Sequence, residues 1–117
     1  MDITERHVGS VAILDLKGRL VCDDGDQKLI AAVNALVERG ERHVLLNLEG
    51  VPWIDSAGIG ALAAKYMTVR RSGGMLKLVH LTARTEGPLR ITRLTTIFDI
   101  FTSESDALRA FSTTSSV

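Results

Sequence analysis

The segment from Ile54 to Leu62 contains the residues best suited to chemistry, and its centre is the hydroxyl of Ser56. Asp55 and Ser56 are both residue types that cap helix N-termini, and the sequence after them predicts a helix from Ala57 to Arg71. A serine at this place could simply cap the helix. It could also accept a phosphate, which the free backbone N–H groups and the helix dipole would stabilise. With a base beside it, the hydroxyl could instead act as a nucleophile.

Two glycines, Gly58 and Gly60, lie in the first turns of this predicted helix. Each costs about 1 kcal/mol relative to alanine in a helix interior, and neither is needed to end the helix. A glycine allows another backbone to come close, either inside the domain or across an interface. Ile59 lies on a different helix face from Leu62, which leaves it as a core residue or as a contact for a partner.

A hydrolase that uses Ser56 as its nucleophile is the enzymatic alternative, but the sequence shows few of the other residues that such an enzyme needs. The sequence has no Gly-x-Ser-x-Gly turn, and the histidines His7, His43 and His80 each lie at the end of a predicted strand. The single cysteine, Cys22, shows no metal-ligand spacing with them. We therefore expect that the chain is not an enzyme and holds no metal or cofactor.

Other residues near the segment have simpler interpretations. Asp23, Asp24 and Asp26 precede the first predicted helix and do not match a calcium-binding loop, so helix capping and solvation are favoured over cation binding. Trp53 follows a proline just before Ser56. We interpret it as a rim or core residue beneath the serine loop, with ligand stacking as the less favoured alternative.

The composition limits the classes of partner. The 117 residues carry 14 basic and 14 acidic side chains, so no net field steers the protein to nucleic acid or to an anionic membrane. One cysteine cannot form an internal disulfide, and residues 1–10 lack the apolar region of a secretory signal. We expect a cytoplasmic protein that binds neither nucleic acid nor membrane.

Strands and helices alternate along the chain, which favours an α/β domain with a mixed sheet. A turn at Gly9-Ser10 predicts an antiparallel hairpin at the start. Leu89, Ile91 and Leu94 suggest a third helix, and Pro88 leads us to begin it near that residue. We expect one domain over residues 1–111 and a disordered tail over 112–117. The predicted strands cover 3–8, 11–16, 43–49, 75–81 and 97–101, and the other helices cover 27–39, 57–71 and 104–111.

The run from Asp55 to Gly60 resembles the phosphoacceptor motif of STAS domains, in particular those of bacterial anti-sigma factor antagonists. The resemblance extends over residues 3–111 and includes Gly18-Arg19-Leu20, the end of the third strand at Asn47-Leu48-Glu49 and the Gly73-Gly74 stop. It also includes the closing strand at 98–101. Arg19 stands where the family has glutamate, and Ala57 stands where many members have serine or threonine. Ser56 is therefore the only hydroxyl in the motif.

This resemblance implies a STAS fold, with a small mixed sheet and helices packed mainly on one face. It also implies partner switching. The protein binds an anti-sigma factor that is a serine kinase, is released when Ser56 is phosphorylated, and is reset by a serine phosphatase. ATP and magnesium belong to the kinase. The implied partner-binding residues are Asp55, Ser56, Ala57, Gly58, Ile59, Gly60, Asp23 and Asp24.

The resemblance leaves two other roles open. Some STAS domains are scaffold subunits of stress-signalling assemblies, and others are constitutive docking subunits of transport machines. A weak homodimer also stays open.

Overall fold

The structure, a computed structural model, describes residues 1–93 and 96–115. These residues form five strands and four helices. In chain order they are β1 (Asp2–Val8), β2 (Val11–Lys17), α1 (Gly25–Glu38), β3 (His43–Gly50), α2 (Ser56–Arg71), β4 (Met75–Val79), α3 (Ala83–Ile91), β5 (Asp99–Phe101) and α4 (Glu104–Ser115).

The strands form one mixed sheet in the order β1-β2-β3-β4-β5. β1 pairs antiparallel with β2 through a turn in which Gly9 has φ +59°, and the other three pairings are parallel. β2 is buried almost throughout because helices cover both faces of the sheet, as parallel strands require. The predicted mixed sheet is confirmed, and the carboxyl ends of β3, β4 and β5 meet at one edge.

The helices lie mainly on one face, as predicted. Buried residues of α1, α2 and α3 share one core with the strands, whereas only α4 covers the second face, through Ala107 and Phe111. The larger core includes Leu14, Leu29, Val33, Leu46, Leu62, Val69, Leu78 and Leu89.

The predicted start of α3 near Pro88 is wrong, because the helix begins at Ala83 and contains this proline. Thr82 caps it: the Thr82 N–H donates to the Thr85 hydroxyl at 3.0 Å. Leu89 is fully buried and anchors the turn that the proline interrupts. Ile91, the last residue of α3, is 84% exposed, and Leu94 lies outside the described residues.

The last helix continues through Ser115, beyond its predicted end at Phe111 and into the stretch that we expected to be a tail. Residues 116 and 117 lie outside the described residues. Among residues 1–93 and 96–115, no helix combines the length and the apolar character needed to cross a membrane.

Candidate functional site

Asp55 begins α2 and ties its start to a distant loop. Its backbone is extended (φ −108°, ψ −175°), and its Oδ1 accepts a hydrogen bond from the Gly58 N–H at 2.9 Å. Its Oδ2 accepts from the Cys22 N–H at 3.1 Å. The N–H of Gly58 and then that of Cys22 lower the pKa of the Asp55 carboxyl, because both stabilise its charged form. Asp55 is therefore a charged cap shared by two segments.

Ser56 is the first residue of α2, and Asp55 leaves it free of the capping role. Its side chain is exposed, and within the described residues its hydroxyl makes no hydrogen bond. The interpretation of Ser56 as a mere cap is wrong. The hydroxyl lies at a helix N-terminus, where backbone N–H groups and the helix dipole favour an added negative charge.

The described residues place no histidine in hydrogen-bond contact with Ser56. His7 lies 3.3 Å from the Glu41 carboxylate, and His43 lies 3.5 Å from the Ser10 hydroxyl; both histidines are at the amino end of the parallel strands. His80 follows β4 in a left-handed conformation with φ +61°. In this arrangement Ser56 lacks the adjacent base that an activated nucleophile needs.

The two glycines of the motif have different surroundings. A β-carbon at Gly58 would lie 2.1 Å from the carbonyl oxygen of Leu20, so only glycine allows the helix to pack this closely against that backbone. A β-carbon at Gly60 would meet nothing within 4 Å. Gly58 is buried, so its contribution lies inside the domain and differs from the predicted partner contact. Gly60 is exposed and has no internal packing role.

The neighbouring side chains divide between core and surface. Ile59 is partly buried and packs against the main core, so it contributes to the core. Its remaining exposed part stays available to a partner. Ala57 is half-buried beside it. Trp53 is 53% exposed, so it is a rim residue rather than a core residue.

The loop after β2 runs alongside the segment before α2. The Leu20 N–H donates to the Trp53 carbonyl at 2.9 Å, and the Asp55 N–H donates to the Leu20 carbonyl at 3.3 Å. Leu20 and Ile54 form an isolated parallel bridge. Sequence reasoning missed this pairing, since backbone donors and acceptors leave no side-chain signal.

This pairing brings acidic residues towards Ser56. Asp23 is exposed with φ +61°, and Asp24 is half-buried with its Oδ1 3.1 Å from the amino group of Met1. The charge of Asp23, followed by partial desolvation and the charge of Asp26, raises the pKa of the Cys22 thiol. The loop that Asp55 holds through the Cys22 N–H therefore carries the exposed negative charge of Asp23.

Comparison with known proteins gives one consistent result. A family profile described as STAS domain matches residues 3–107. The chain is 25% identical over 108 residues to an anti-sigma F factor antagonist from Paenibacillus polymyxa, with 92% of each chain covered. It is 29% identical over 113 residues to a Bordetella bronchiseptica protein provisionally named anti-sigma factor antagonist BtrV, with 97% of each covered.

Solved structures show the same fold. A crystal structure of a Thermotoga maritima protein, provisionally described as an anti-sigma factor antagonist, superimposes with a TM-score of 0.86 at 24% identity over 93% of each chain. The Bacillus cell fate determinant SpoIIAA in its phosphorylated form gives 0.72 at 14% identity, with 93% of this chain and 98% of that one covered.

Proposed function

The chain belongs to the STAS domain family, and from this we propose that it is an anti-sigma factor antagonist whose binding is switched by phosphorylation of Ser56. The observation that carries the proposal is the exposed Ser56 hydroxyl, which starts α2 while Asp55 does the capping. The names of the relatives from Paenibacillus and Bordetella support the role, and the phosphorylated form of SpoIIAA supports the chemistry.

The cycle has two states. Unphosphorylated protein binds an anti-sigma factor that is also a serine kinase, which releases a sigma factor. The kinase transfers the γ-phosphoryl group of ATP to the Ser56 oxygen; the bond from the γ-phosphorus to the bridging oxygen breaks, ADP leaves, and the hydroxyl proton passes to a base of the kinase or to water. A serine phosphatase hydrolyses the phosphoester and restores the first state. The chain itself is substrate and regulator, not enzyme, and it works in the cytoplasm, where ATP is available to the kinase.

The phosphate acts on the surface rather than on the fold. It adds about −1.5 to −2 charges at neutral pH, at a helix start that tolerates negative charge. Asp55 is adjacent in sequence, and Asp23 lies in the loop that Asp55 holds. A partner that closes over Ser56 would bury this extra charge without a counter-ion. An unpaired buried charge costs several kcal/mol, which weakens binding by orders of magnitude.

The open position of Gly60 fits the same proposal. An exposed helical glycine with no internal contact costs stability, and a close approach by a partner backbone would explain it. The predicted partner residues Ala57, Ile59, Asp23 and Asp24 lie on the elements around Ser56.

Intact-mass analysis after incubation with ATP, magnesium and extract of the native cell tests the proposal. We expect one added phosphate in the wild type and in Ser10→Ala, whose exposed serine lies at the hairpin turn, and none in Ser56→Ala. An extract that phosphorylates a control substrate but leaves the wild type unmodified would contradict the proposal that phosphorylation of Ser56 switches binding. A constitutive docking or scaffold role would then be the better explanation.

A further inference from the structure

The side chain of Trp53 lies at the surface three residues before Ser56, and it is 53% exposed. We propose that Trp53 is the anchor residue through which the protein partner docks next to Ser56, by inserting its indole into an apolar pocket of that partner. This inference rests on the proposed function and names the part of the surface that holds the unphosphorylated complex together.

Trp53 is unlike the other aromatic residues of the chain, which has one Trp, one Tyr and three Phe. Tyr66 and Phe98 pack edge to face at 5.2 Å, and Phe111 stacks on His43. Phe101 lies near the Lys77 ammonium. Each of these rings has a partner inside the domain, whereas more than half of the Trp53 side chain faces solvent.

The exposure of Trp53 is imposed by the backbone. Ile54 is 3% exposed and forms the parallel bridge with Leu20, so the preceding side chain points to the opposite side of this extended segment. The Trp53 carbonyl accepts from the Leu20 N–H at 2.9 Å, and the Asp55 N–H donates to the Leu20 carbonyl at 3.3 Å. The indole is thus presented from a segment fixed at both ends, which lowers the entropy lost when a partner binds.

Tryptophan is among the residues most enriched in the hot spots of protein interfaces, because its rigid side chain buries a large apolar area. The other large apolar residues that are exposed in the described part of the chain are not aromatic, and Val8 lies at the opposite edge of the sheet from Ser56. Trp53 is therefore the exposed side chain best suited to anchor a partner at the phosphoacceptor end.

The charges around the segment specify the rim of the partner pocket. Asp55 and Cys22 are hydrogen-bonded, and the charges of Asp23 and Asp26 reach the Cys22 thiol. The partner surface should therefore be an apolar pocket whose lysine or arginine residues pair with Asp23 and Asp55. Cations already paired in this way leave no counter-ion for a phosphate on Ser56. A phosphate on Ser56 adds bulk within three residues of the indole, so a pocket that closes over Trp53 cannot also close over the modified serine.

Trp53 is the only tryptophan, so its fluorescence reports directly on this contact. The probe is a purified anti-sigma factor of the source organism that phosphorylates Ser56, as shown by intact-mass analysis. Any tryptophan in this probe is first replaced by phenylalanine, so that only Trp53 fluoresces. Binding is measured with a non-hydrolysable ATP analogue. We expect the emission of Trp53 to shift to shorter wavelength on binding and acrylamide quenching to fall. Trp53→Ala should bind tenfold to a hundredfold more weakly, Trp53→Phe should recover part of the affinity, and Val8→Ala should match the wild type.

Circular dichroism melting of each variant establishes that it is folded before binding is measured. If the kinase binds and phosphorylates the wild type while Trp53 emission stays unchanged and Trp53→Ala binds within twofold, the anchor is wrong and the proposed function stands. If no such kinase binds the wild type or phosphorylates Ser56, the proposed function fails and the anchor fails with it.

Discussion

Gly58 packs against the carbonyl of Leu20 so closely that a β-carbon would lie 2.1 Å from the carbonyl oxygen. This contact joins the first turn of α2 to the loop after β2. Together with the two hydrogen bonds of the Asp55 carboxylate, it sets the position of Ser56 relative to the rest of the domain.

Gly58→Ala should destabilise the protein, because the new methyl group overlaps backbone that is fixed on both sides. We expect a loss of about 2 kcal/mol in the free energy of unfolding, measured by urea denaturation. A value within about 0.5 kcal/mol of wild type would mean that the Leu20 loop shifts easily to make room for the methyl group. The contact would then not position the site.

Gly60→Ala is the matched substitution two residues away, where the methyl group meets nothing within 4 Å. We expect it to stabilise the protein by about 0.5–1 kcal/mol through helix propensity and a less flexible unfolded chain. It should nevertheless weaken binding of the anti-sigma factor, measured by calorimetry. Unchanged affinity would place Gly60 outside the interface.

Asp55 should give the protein a specific dependence on acid. Its folded pKa is lowered, so its contribution is fully present above the pKa of an unfolded aspartate, near 4, and is lost as the pH falls through the folded value. Asp55→Asn lacks that charge and keeps one acceptor oxygen. The difference in melting temperature between wild type and Asp55→Asn should therefore be largest at neutral pH and shrink below about pH 4. A difference that is constant from pH 7 to pH 3 would argue against a charged cap.

Ser56→Asp should separate stability from binding. An acidic side chain in the first turn of α2 interacts favourably with the helix dipole, so the melting temperature should equal or slightly exceed that of the wild type. Binding to the anti-sigma factor should fall at least tenfold, because the added charge is buried without a counter-ion. Ser56→Ala should bind like the unmodified protein. A variant that melts early would indicate that the switch acts on the fold instead.

The sequence determined the elements whose signals are local. The turn residues Gly9-Ser10 predicted the β1–β2 hairpin, and the alternation of strands and helices predicted the mixed sheet; both are confirmed. The start of α3 was missed, since a proline in the chain is a strong local signal. The capping bond of Thr85 and the burial of Leu89 outweigh it only in the folded domain.

The details of the site were decided by tertiary structure. Asp55 and Ser56 have similar capping propensities, and the Cys22 N–H, 33 residues away, completes the hydrogen bonds of Asp55 and leaves the serine hydroxyl free. Gly58 and Gly60 are identical in sequence terms, yet only one faces the Leu20 carbonyl. The sequence identifies Ser56 as the candidate phosphoacceptor, because the reactive hydroxyl is part of the side chain. Which of them is exposed depends on backbone segments far apart in the chain, and only folding brings those together.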